Sequence, residues 1–265
     1  MDPAQWMLRE KINPATCLWL FLDYDGTLAD FAPTPDDVFP NPEVIELITN
    51  LSQHRLLRIA IVSGRRLKHI QTLLPVEGIW LAGTYGIEMQ SPKGELIHQA
   101  SYEEIRPTIK TIKKIWENIL NKQAGFYLED KGWSLAIHAK DAPYSEAIEI
   151  LTTARNKAVM EIGRSPFGIL GGDRFLEIAP NKANKANAVN YLLGKYQRTG
   201  SYSIYIGDDD KDEEAFRVIK NHGGTAILVS NEPLKSLADF RIHNPRSVRQ
   251  WLRELSANLG EIFNC

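Results

Sequence analysis

Cysteines and dense basic runs are scarce in this sequence. Only Cys17 and Cys265 occur among 265 residues, which excludes a disulfide framework as the basis of the fold. No dense run of lysine or arginine is found, and 31 basic residues nearly balance 33 acidic ones. A nucleic-acid-binding protein would show a basic face or stripe, so that class is excluded. We therefore expect a small molecule as the partner.

Long apolar segments are also absent. No stretch approaches the roughly 18 consecutive apolar residues that a membrane-spanning helix needs, so no membrane partner is expected. The first residues, MDPAQWMLREKINPATC, lack the basic and then apolar pattern of a secretion signal. The six histidines show no zinc-site spacing, which favours scattered structural or surface roles. We expect a cytoplasmic monomer.

Apolar runs of strand length alternate with helical patterns in the first hundred residues. The predicted strands are CLWLFL (17–22), LRIAIV (57–62) and GIWLAG (78–83), and each is apolar on both faces. The segments between them have helical periodicity, one beginning after the cap residue Asn41 and the other near Leu67. Strands that alternate with helices predict an α/β fold with a parallel sheet.

The pattern changes after residue 100. A long amphipathic helix is predicted behind a capping box of Ser101 and Glu104, and KGWSLAIHAK (131–140) alternates as a strand with one covered face does. A hairpin is predicted to turn at Gly171 and Gly172. These features predict an inserted α+β domain at 101–178, within an α/β domain formed by 1–100 and 179–265.

The α/β pattern resumes in the last part of the chain. Strands are predicted at 201–206 and 225–230, and a terminal helix is predicted to be capped by Ser247. Because the carboxyl ends of parallel strands meet at one sheet edge, the polar clusters that follow the strands should converge there. These clusters are Asp23 with Asp25, Ser63–Arg65, Thr84–Glu88 and Asp208–Asp210.

The aspartates at this edge indicate a metal site. Carboxylates from Asp23, Asp25, Asp208 and Asp209 would repel one another unless a hard cation lay among them, and ligands that are all oxygen suit Mg²⁺. Such a metal, beside a lysine and a serine, is what phosphoryl transfer uses to neutralise charge on the transferring group. Taken alone, the acidic run GDDDKDEE (207–214) could instead be the first turn of a helix.

Four motifs, in order, resemble those of the haloacid dehalogenase (HAD) superfamily. They are DYDGT (23–27), Ser63 in VSGR, Lys185 and GDDDKDEE (207–214). The resemblance implies a Rossmann-like core with an inserted C2-type α+β cap domain. It also implies a Mg²⁺-dependent phosphatase that works through an aspartyl-phosphate.

A closer resemblance is to the trehalose-6-phosphate phosphatase family. Its pattern is matched by LDYDGTL (22–28), SGR (63–65), GTYGIE (83–88), EDKGWS (129–134), EIAP (177–180) and GDDDKDE (207–213). The sequence departs from this pattern where Tyr85 replaces His, Lys211 replaces Thr, Ala186 replaces Gly and HAK (138–140) replaces HYR. These departures affect the expected sugar and leave the expected chemistry unchanged.

The resemblance also implies roles for single residues. Asp23 would be the nucleophile, Asp25 would protonate the leaving oxygen and then activate water, and Ser63 and Lys185 would contact the phosphoryl oxygens. Mg²⁺ would bind Asp23, the backbone carbonyl of Asp25 and Asp208, supported from nearby by Asp209 and Asp212. The residues expected to read the sugar are Arg65, Tyr85 and Glu88 in the core and Glu129, Lys131 and Glu177 in the cap. Closure of the cap would exclude water.

Several alternatives stay open on the sequence alone. The substrate could be another compatible-solute phosphate, such as glucosylglycerol phosphate, mannosyl-3-phosphoglycerate or sucrose phosphate. A phosphotransferase of the phosphomannomutase type and a non-catalytic phosphosugar-binding module are further alternatives. Glu129 and Lys131 could form a surface ion pair, and His138 could be either a surface residue or a ligand contact. A cognate sugar-phosphate synthase as a partner is also left open.

Overall fold

The computed structural model describes residues 17–31 and 38–262, and it divides into two compact units. The first unit runs to Ile97 and resumes at Asn184, and the second is His98–Ala183. The predicted insertion, 101–178, lies inside the second unit. Cys265 and residues 1–16 of the N-terminal segment discussed above lie outside the described residues. Within the described ranges, no helix has the length and apolar character needed to span a membrane.

Twelve strands and seven helices are described. In chain order they are β1 (Leu18–Leu22), α1 (Pro42–Ser52), β2 (Leu57–Val62), α2 (Leu67–Leu73), β3 (Trp80–Gly83), β4 (Glu88–Gln90), β5 (Leu96–His98), α3 (Tyr102–Leu120), β6 (Tyr127–Asp130), β7 (Leu135–His138), α4 (Tyr144–Ile162), β8 (Phe167–Gly172), β9 (Phe175–Pro180), α5 (Lys185–Tyr196), β10 (Tyr202–Gly207), α6 (Glu213–Asn221), β11 (Thr225–Val229), β12 (Phe240–Ile242) and α7 (Pro245–Ile262).

An eight-stranded sheet forms the centre of the first unit, in the order β12-β11-β10-β1-β2-β3-β4-β5. The pairs from β12 to β3 are parallel, and β4 joins antiparallel to β3. The α/β class with a parallel sheet is therefore confirmed. β12 was not predicted, because three residues of mixed polarity carry no strand signal of their own.

β1 is apolar on both faces because helices cover both sides of the sheet. Leu18, Leu20 and Leu22 pack into one core cluster and Trp19 and Phe21 into the other, and each is at most 1% exposed. Burying a large apolar side chain stabilises a fold by roughly 1.5–3 kcal/mol, so this strand anchors both layers. The two clusters hold the residue that follows Leu22 in a fixed place.

Two of the three predicted helix caps are confirmed, and the third is wrong. The Asn41 side chain accepts from two backbone N–H groups at the start of α1, as predicted. Ser101 accepts from the N–H of Glu104 at the start of α3. The Ser247 cap is wrong: α7 begins two residues earlier, and Asn244 Oδ1 accepts from the Ser247 N–H at 2.9 Å. Asparagine provides the same kind of oxygen, so local chemistry alone did not separate the two residues.

The second unit has an antiparallel sheet in the order β6-β7-β9-β8, and α3 and α4 pack on each other. Trp116 Nε1 of α3 donates to the carbonyl of Ala154 in α4 at 3.0 Å. The predicted hairpin is confirmed as β8 and β9, but its turn lies at 173–174 and not at Gly171 and Gly172, because Gly172 still pairs with Phe175. A Cβ on Gly171 would lie 2.4 Å from the Phe175 carbonyl oxygen, so this glycine allows a close strand approach within the ladder.

The turn that follows β3 has an unusual backbone. Thr84, Tyr85 and Gly86 have φ values of 47°, 56° and 92°, so three successive residues lie in the left-handed region. A Cβ on Gly86 would lie 2.4 Å from the Cβ of Ala188 in α5. Only glycine allows this backbone and this approach to the helix together.

Gly86→Ala should therefore destabilise the protein more than Gly200→Ala. Both positions have positive φ, but a Cβ on Gly200 meets nothing within 4 Å. The backbone cost of about 1 kcal/mol applies to both variants, and overpacking against Ala188 should add roughly 1–3 kcal/mol for Gly86. Urea unfolding of both variants measures the difference, and equal losses of stability would contradict the packing argument.

Candidate active site

The register of the sheet brings three polar positions to the same edge. Leu22 of β1 is paired with Ile61 of β2 and with Ile206 of β10. Asp23 and Asp208 therefore follow adjacent parallel strands at one edge, and Ser63 follows the strand on the other side of β1. The Asp23 N–H donates to the Ile206 carbonyl at 3.0 Å, which ties β1 to β10 at this point.

Lys185 is the cation at the centre of this edge. It is the first residue of α5, whose cap is Asn184, and it is only 3% exposed. Its Nζ lies 3.1 Å from Asp23 Oδ1, 2.8 Å from Asp212 Oδ1 and 3.7 Å from Asp209 Oδ1. Burial alone would lower the pKa of Lys185, but these three carboxylates outweigh it and raise the pKa well above its usual value. The ammonium group therefore stays charged.

Asp212 fixes the loop that follows β10. Its Oδ1 accepts from Tyr205 OH at 2.6 Å as well as from Lys185, and its Oδ2 accepts from the N–H groups of Asp208 and Asp209, each at 3.1 Å. A Cβ on Gly207 would lie 2.3 Å from the Asp212 carboxyl carbon, so the loop closes tightly on this side chain. Four donors occupy the carboxylate, and Asp212 therefore positions the loop.

Asp23 and Asp208 fit a hard divalent cation. Oxygens of Asp23, Asp208 and Asp212 lie within 4.8 Å of one another, and the Thr27 hydroxyl donates to Asp208 Oδ1 at 3.1 Å. Burial, together with the neighbouring carboxylates, raises the pKa of Asp23 well above its usual value. Burial likewise raises the pKa of Asp208 to about 6. The edge thus has more negative charge than Lys185 offsets, and its donors are the oxygen atoms that Mg²⁺ prefers.

Asp209, which was also predicted to lie at the metal, is placed differently. It is not part of the three-carboxylate cluster, and its side chain is 41% exposed. Its Oδ1 accepts from the Lys211 N–H at 2.9 Å. Burial alone would raise the pKa of Asp209, but the charges of Lys185 and Lys211 lower it below its usual value. This geometry is that of a supporting residue rather than of a residue that faces Asp23.

Asp25 is held by Arg65. The guanidinium donates through Nε to Asp25 Oδ2 at 2.7 Å and through Nη2 to Oδ1 at 2.8 Å, which is a bidentate pair. A third nitrogen of Arg65, Nη1, lies 3.2 Å from His69 Nδ1. A guanidinium can only donate, so His69 Nδ1 is the acceptor in this contact. The sequence analysis expected Arg65 at the sugar and missed His69, which lies four residues further along.

Ser63 and Glu88 shape the turns around this pair. Ser63 is buried, and its Oγ accepts from the Arg65 N–H at 3.1 Å. Glu88 Oε1 accepts from the Leu67 N–H at the start of α2, at 2.9 Å, and from Thr84 Oγ1 at 3.0 Å. These contacts make Glu88 a support for the turn that follows β3, whereas the sequence analysis expected it at the sugar.

Tyr85 and Lys211, two departures from the family pattern, contact each other. Lys211 Nζ donates to Tyr85 OH at 3.0 Å and lies 5.0 Å from the centre of the ring. Tyr85 is 4% exposed and Lys211 is half-buried. Neither local periodicity nor motif spacing predicts this contact, because the two residues are 126 positions apart.

A second polar cluster lies in the second unit. Glu129 of β6 and Glu177 of β9 are both paired with Ala136 of β7, so the three residues share one face of the sheet. Lys131 Nζ lies 3.1 Å from Glu177 Oε1 and 3.9 Å from Glu129 Oε2. The structure therefore brings the three predicted cap residues together.

The part of this cluster around Glu177 is buried, Glu129 is partly exposed, and two further side chains belong to the cluster. Glu177 is fully buried and Lys131 is 7% exposed, so Lys131 is not part of a surface ion pair. The Ser134 hydroxyl donates to Glu177 Oε1 at 2.8 Å, and His138 Nε2 lies 2.9 Å from Glu129 Oε2. His138 contacts a cluster residue, and its two predicted roles stay predictions. Ser134, the last residue of the EDKGWS match, was not singled out from the sequence as a contact of Glu177.

Comparison with known proteins shows the class of this protein, which is a phosphatase. The trehalose-phosphatase family model matches residues 21–244. Trehalose 6-phosphate phosphatase RA3 of Zea mays is 29% identical over 260 residues, covering 91% of this chain and 70% of that protein. A probable trehalose-phosphate phosphatase of Sinorhizobium fredii is 33% identical over 216 residues, covering 79% of this chain and 77% of that protein.

A solved structure supports the same fold. The C-terminal domain of C. albicans trehalose-6-phosphate phosphatase matches with a TM-score of 0.78 at 19% identity, covering 96% of this chain and 97% of that chain. Because the family model spans most of the sequence, the chain belongs to the trehalose-phosphatase family. It is therefore a phosphoric monoester hydrolase, and the resemblance that the motifs indicated is confirmed.

Metal-free protein should become more stable as the pH falls from about 7.5 to about 5.5. Asp208 has a folded pKa of about 6 against a usual 3.8, so the folded state binds this proton more tightly than the unfolded state does. The destabilisation caused by its buried charge is present above the folded pKa and is relieved as the pH falls through it. Thermal unfolding in EDTA across this range measures the trend.

Mg²⁺ should stabilise the folded protein in the same way at about pH 7.5, because the cation offsets the carboxylate charge that a proton neutralises at lower pH. Addition of Mg²⁺ should raise the melting temperature there and flatten its dependence on pH. Asp208→Asn is the matched control and should respond little to either change. A melting temperature in EDTA that falls as the pH is lowered over this range would contradict the charge argument.

Proposed function

We propose that the protein hydrolyses trehalose-6-phosphate to trehalose and phosphate in a Mg²⁺-dependent reaction that passes through an aspartyl-phosphate. The observation that carries this proposal is the placement of Asp23, whose carboxylate is 5% exposed and lies between Lys185 and Asp208. Membership of the trehalose-phosphatase family supports the substrate. We expect a cytoplasmic monomer with no nucleic-acid or membrane partner.

The chemistry follows from the two aspartates that flank Tyr24. Asp23 attacks phosphorus, the bond from phosphorus to the sugar oxygen breaks, and that oxygen takes a proton from Asp25. Asp25 then accepts a proton from water as the water attacks the aspartyl-phosphate, which releases phosphate and restores Asp23. Ser63 and Lys185 would bind the phosphoryl oxygens, and the Lys185 charge would stabilise the negative charge that develops on them.

Mg²⁺ fits this edge because Asp23 and Asp208 supply hard oxygen donors with unbalanced negative charge. Asp23, Asp208 and the backbone carbonyl of Asp25 would hold it, with Asp209 as support. When bound, the cation supplies Lewis-acid neutralisation of the phosphoryl oxygens. Asp212 would contribute by fixing the loop that carries Asp208 and Asp209.

The ion pair between Arg65 and Asp25 suits one of the two proton transfers proposed for Asp25. Both carboxylate oxygens of Asp25 accept from the guanidinium, and Asp25 also acts as an acceptor when it takes the proton of the attacking water. For the earlier step Asp25 must carry a proton, so Arg65 must give up part of this contact. An oxygen of the bound sugar phosphate is an acceptor that can take the released guanidinium donors. We infer that Arg65 serves both Asp25 and the substrate.

Sugar recognition is assigned to the buried cluster of the second unit. Glu129, Lys131 and Glu177 offer charged acceptors and a donor on one face of the sheet, which suits hydroxyl groups. The departures at Tyr85, Lys211 and 138–140 favour a second candidate, namely another compatible-solute phosphate with unchanged chemistry. A non-catalytic binding module would need no second carboxylate beside Asp23, and the presence of Asp25 weighs against it.

Phosphate release from a substrate panel tests the proposal. With Mg²⁺, kcat/KM for trehalose-6-phosphate should exceed that for glucosylglycerol phosphate, mannosyl-3-phosphoglycerate, sucrose-6-phosphate and glucose-6-phosphate by at least about tenfold. Asp23→Asn should lower kcat by roughly a thousandfold or more because the nucleophile is lost. Asp210→Asn, an exposed change in the same acidic run, should leave the rates near wild type. A preference for another ester would overturn the substrate, and an active Asp23→Asn would overturn the mechanism.

Lys131→Ala should raise KM for the preferred sugar phosphate by about tenfold or more, and it should affect p-nitrophenyl phosphate by less than about threefold. The variant should also be less stable, because the fully buried Glu177 would lose its ion pair with Lys131. Lys131→Arg keeps the charge and separates the two effects.

Lys113→Ala is a matched control in the same unit, since Lys113 pairs with Asp130 instead. Steady-state kinetics with both substrates and a melting curve for each variant complete the test. Equal losses on the sugar phosphate and on p-nitrophenyl phosphate would argue against a role of Lys131 in sugar recognition.

A further inference from the structure

Tyr85 and Lys211 come from loops that lie on either side of the nucleophile. Tyr85 follows β3 and Lys211 lies in the loop after β10, and the sheet order places β1 and β2 between these strands. Three strand spacings amount to about 14 Å, so a contact between the two loops must bridge the ends of both central strands. These are the strands that end at Asp23 and Ser63.

Tyr85 is held rigidly beside the Ser63 turn. Its backbone has a φ of 56°, which is uncommon for a large residue, and its N–H donates to the Ser63 carbonyl at 2.9 Å. Its ring packs on Gly64, where a Cβ would lie 2.7 Å from a ring carbon. The ring position is therefore fixed by the turn that carries Ser63.

Lys211 is tied to the acidic loop at its other end. Its N–H donates to Asp209 Oδ1 at 2.9 Å, while its ammonium group donates to the Tyr85 hydroxyl at 3.0 Å. Lys185 is almost fully buried among carboxylates, whereas Lys211 is half-buried. The edge thus has two ammonium groups at different depths, and the outer one is positioned by a tyrosine.

We propose that Tyr85 and Lys211 act as one specificity-determining pair for the leaving group. The inner ammonium of Lys185 serves the phosphoryl group, and the outer one favours an ester whose leaving group presents hydroxyl oxygens beside the ester bond. Tyr85 is the positioning residue, because it fixes the ammonium through the hydrogen bond and the ring face. This inference rests on the proposed phosphatase function and adds a determinant of its substrate class.

A double-mutant cycle tests the pair. Tyr85→Phe removes only the hydroxyl, Lys211→Thr removes the ammonium, and the double variant combines both changes. Each single change should raise KM for the preferred sugar phosphate by about tenfold, with kcat and the values for p-nitrophenyl phosphate within about threefold of wild type. The double variant should lose no more than the worse single variant, because both changes remove the same interaction.

The chain offers a matched control pair. Lys195 Nζ donates to Tyr191 OH at 3.1 Å and lies 5.3 Å from that ring, and the contact is exposed. Lys195→Thr and Tyr191→Phe should leave the kinetics of both substrates unchanged. Melting curves show whether each variant is folded, and Tyr85→Phe keeps the packing on Gly64.

The outcomes separate this inference from the proposed function. Three results would overturn the proposed role of this pair: losses that multiply in the double variant, equal losses on p-nitrophenyl phosphate, or an unchanged KM for the sugar phosphate. If wild type prefers a sugar phosphate other than trehalose-6-phosphate, the proposed substrate fails while the cycle, run on that ester, still decides the pair. If wild type cleaves p-nitrophenyl phosphate but no sugar phosphate, both proposals fall.

Discussion

One buried ammonium among several carboxylates is the interaction on which the rest of the site depends. Lys185 offsets part of the negative charge of Asp23, Asp209 and Asp212, and its removal would leave these groups to repel one another away from water. Burial, together with the neighbouring carboxylates that this one positive charge does not fully offset, raises the pKa values of Asp23 and Asp208. The same excess of negative charge costs stability and makes the edge attractive to a cation.

The fold keeps these charges in place through rigid elements on three sides. β1 is enclosed by two apolar clusters and ends at Asp23, while α5 begins at Lys185 directly behind its Asn184 cap. The third support is Asp212, whose four hydrogen bonds close the loop after β10. Like charges can be held this close only where the backbone cannot relax, so the charged edge depends on the rigidity that the apolar core provides.

The sequence predicted what depends on local pattern. Apolar runs located the central strands, the cap at Asn41 located α1, and the motif order located Asp23 and Lys185 at one edge. What was missed depends on register or on side-chain direction: the pairing of Glu129 and Glu177 with the same residue, the capture of Asp25 by Arg65, and the support from Glu88. The turn after β8 and the cap of α7 were misplaced because glycine and serine each suit more than one local role.

The residues assigned to phosphoryl transfer are constrained more tightly than the residues assigned to recognition of the leaving group. Asp212 accepts four hydrogen bonds beside the groups assigned to phosphoryl transfer, so a change there disturbs several contacts at once. Two of the departures from the family pattern, Tyr85 and Lys211, contact each other at a distance from this carboxylate, through the Tyr85 hydroxyl and the Lys211 ammonium group. The geometry therefore allows the leaving group to vary while the reaction stays the same.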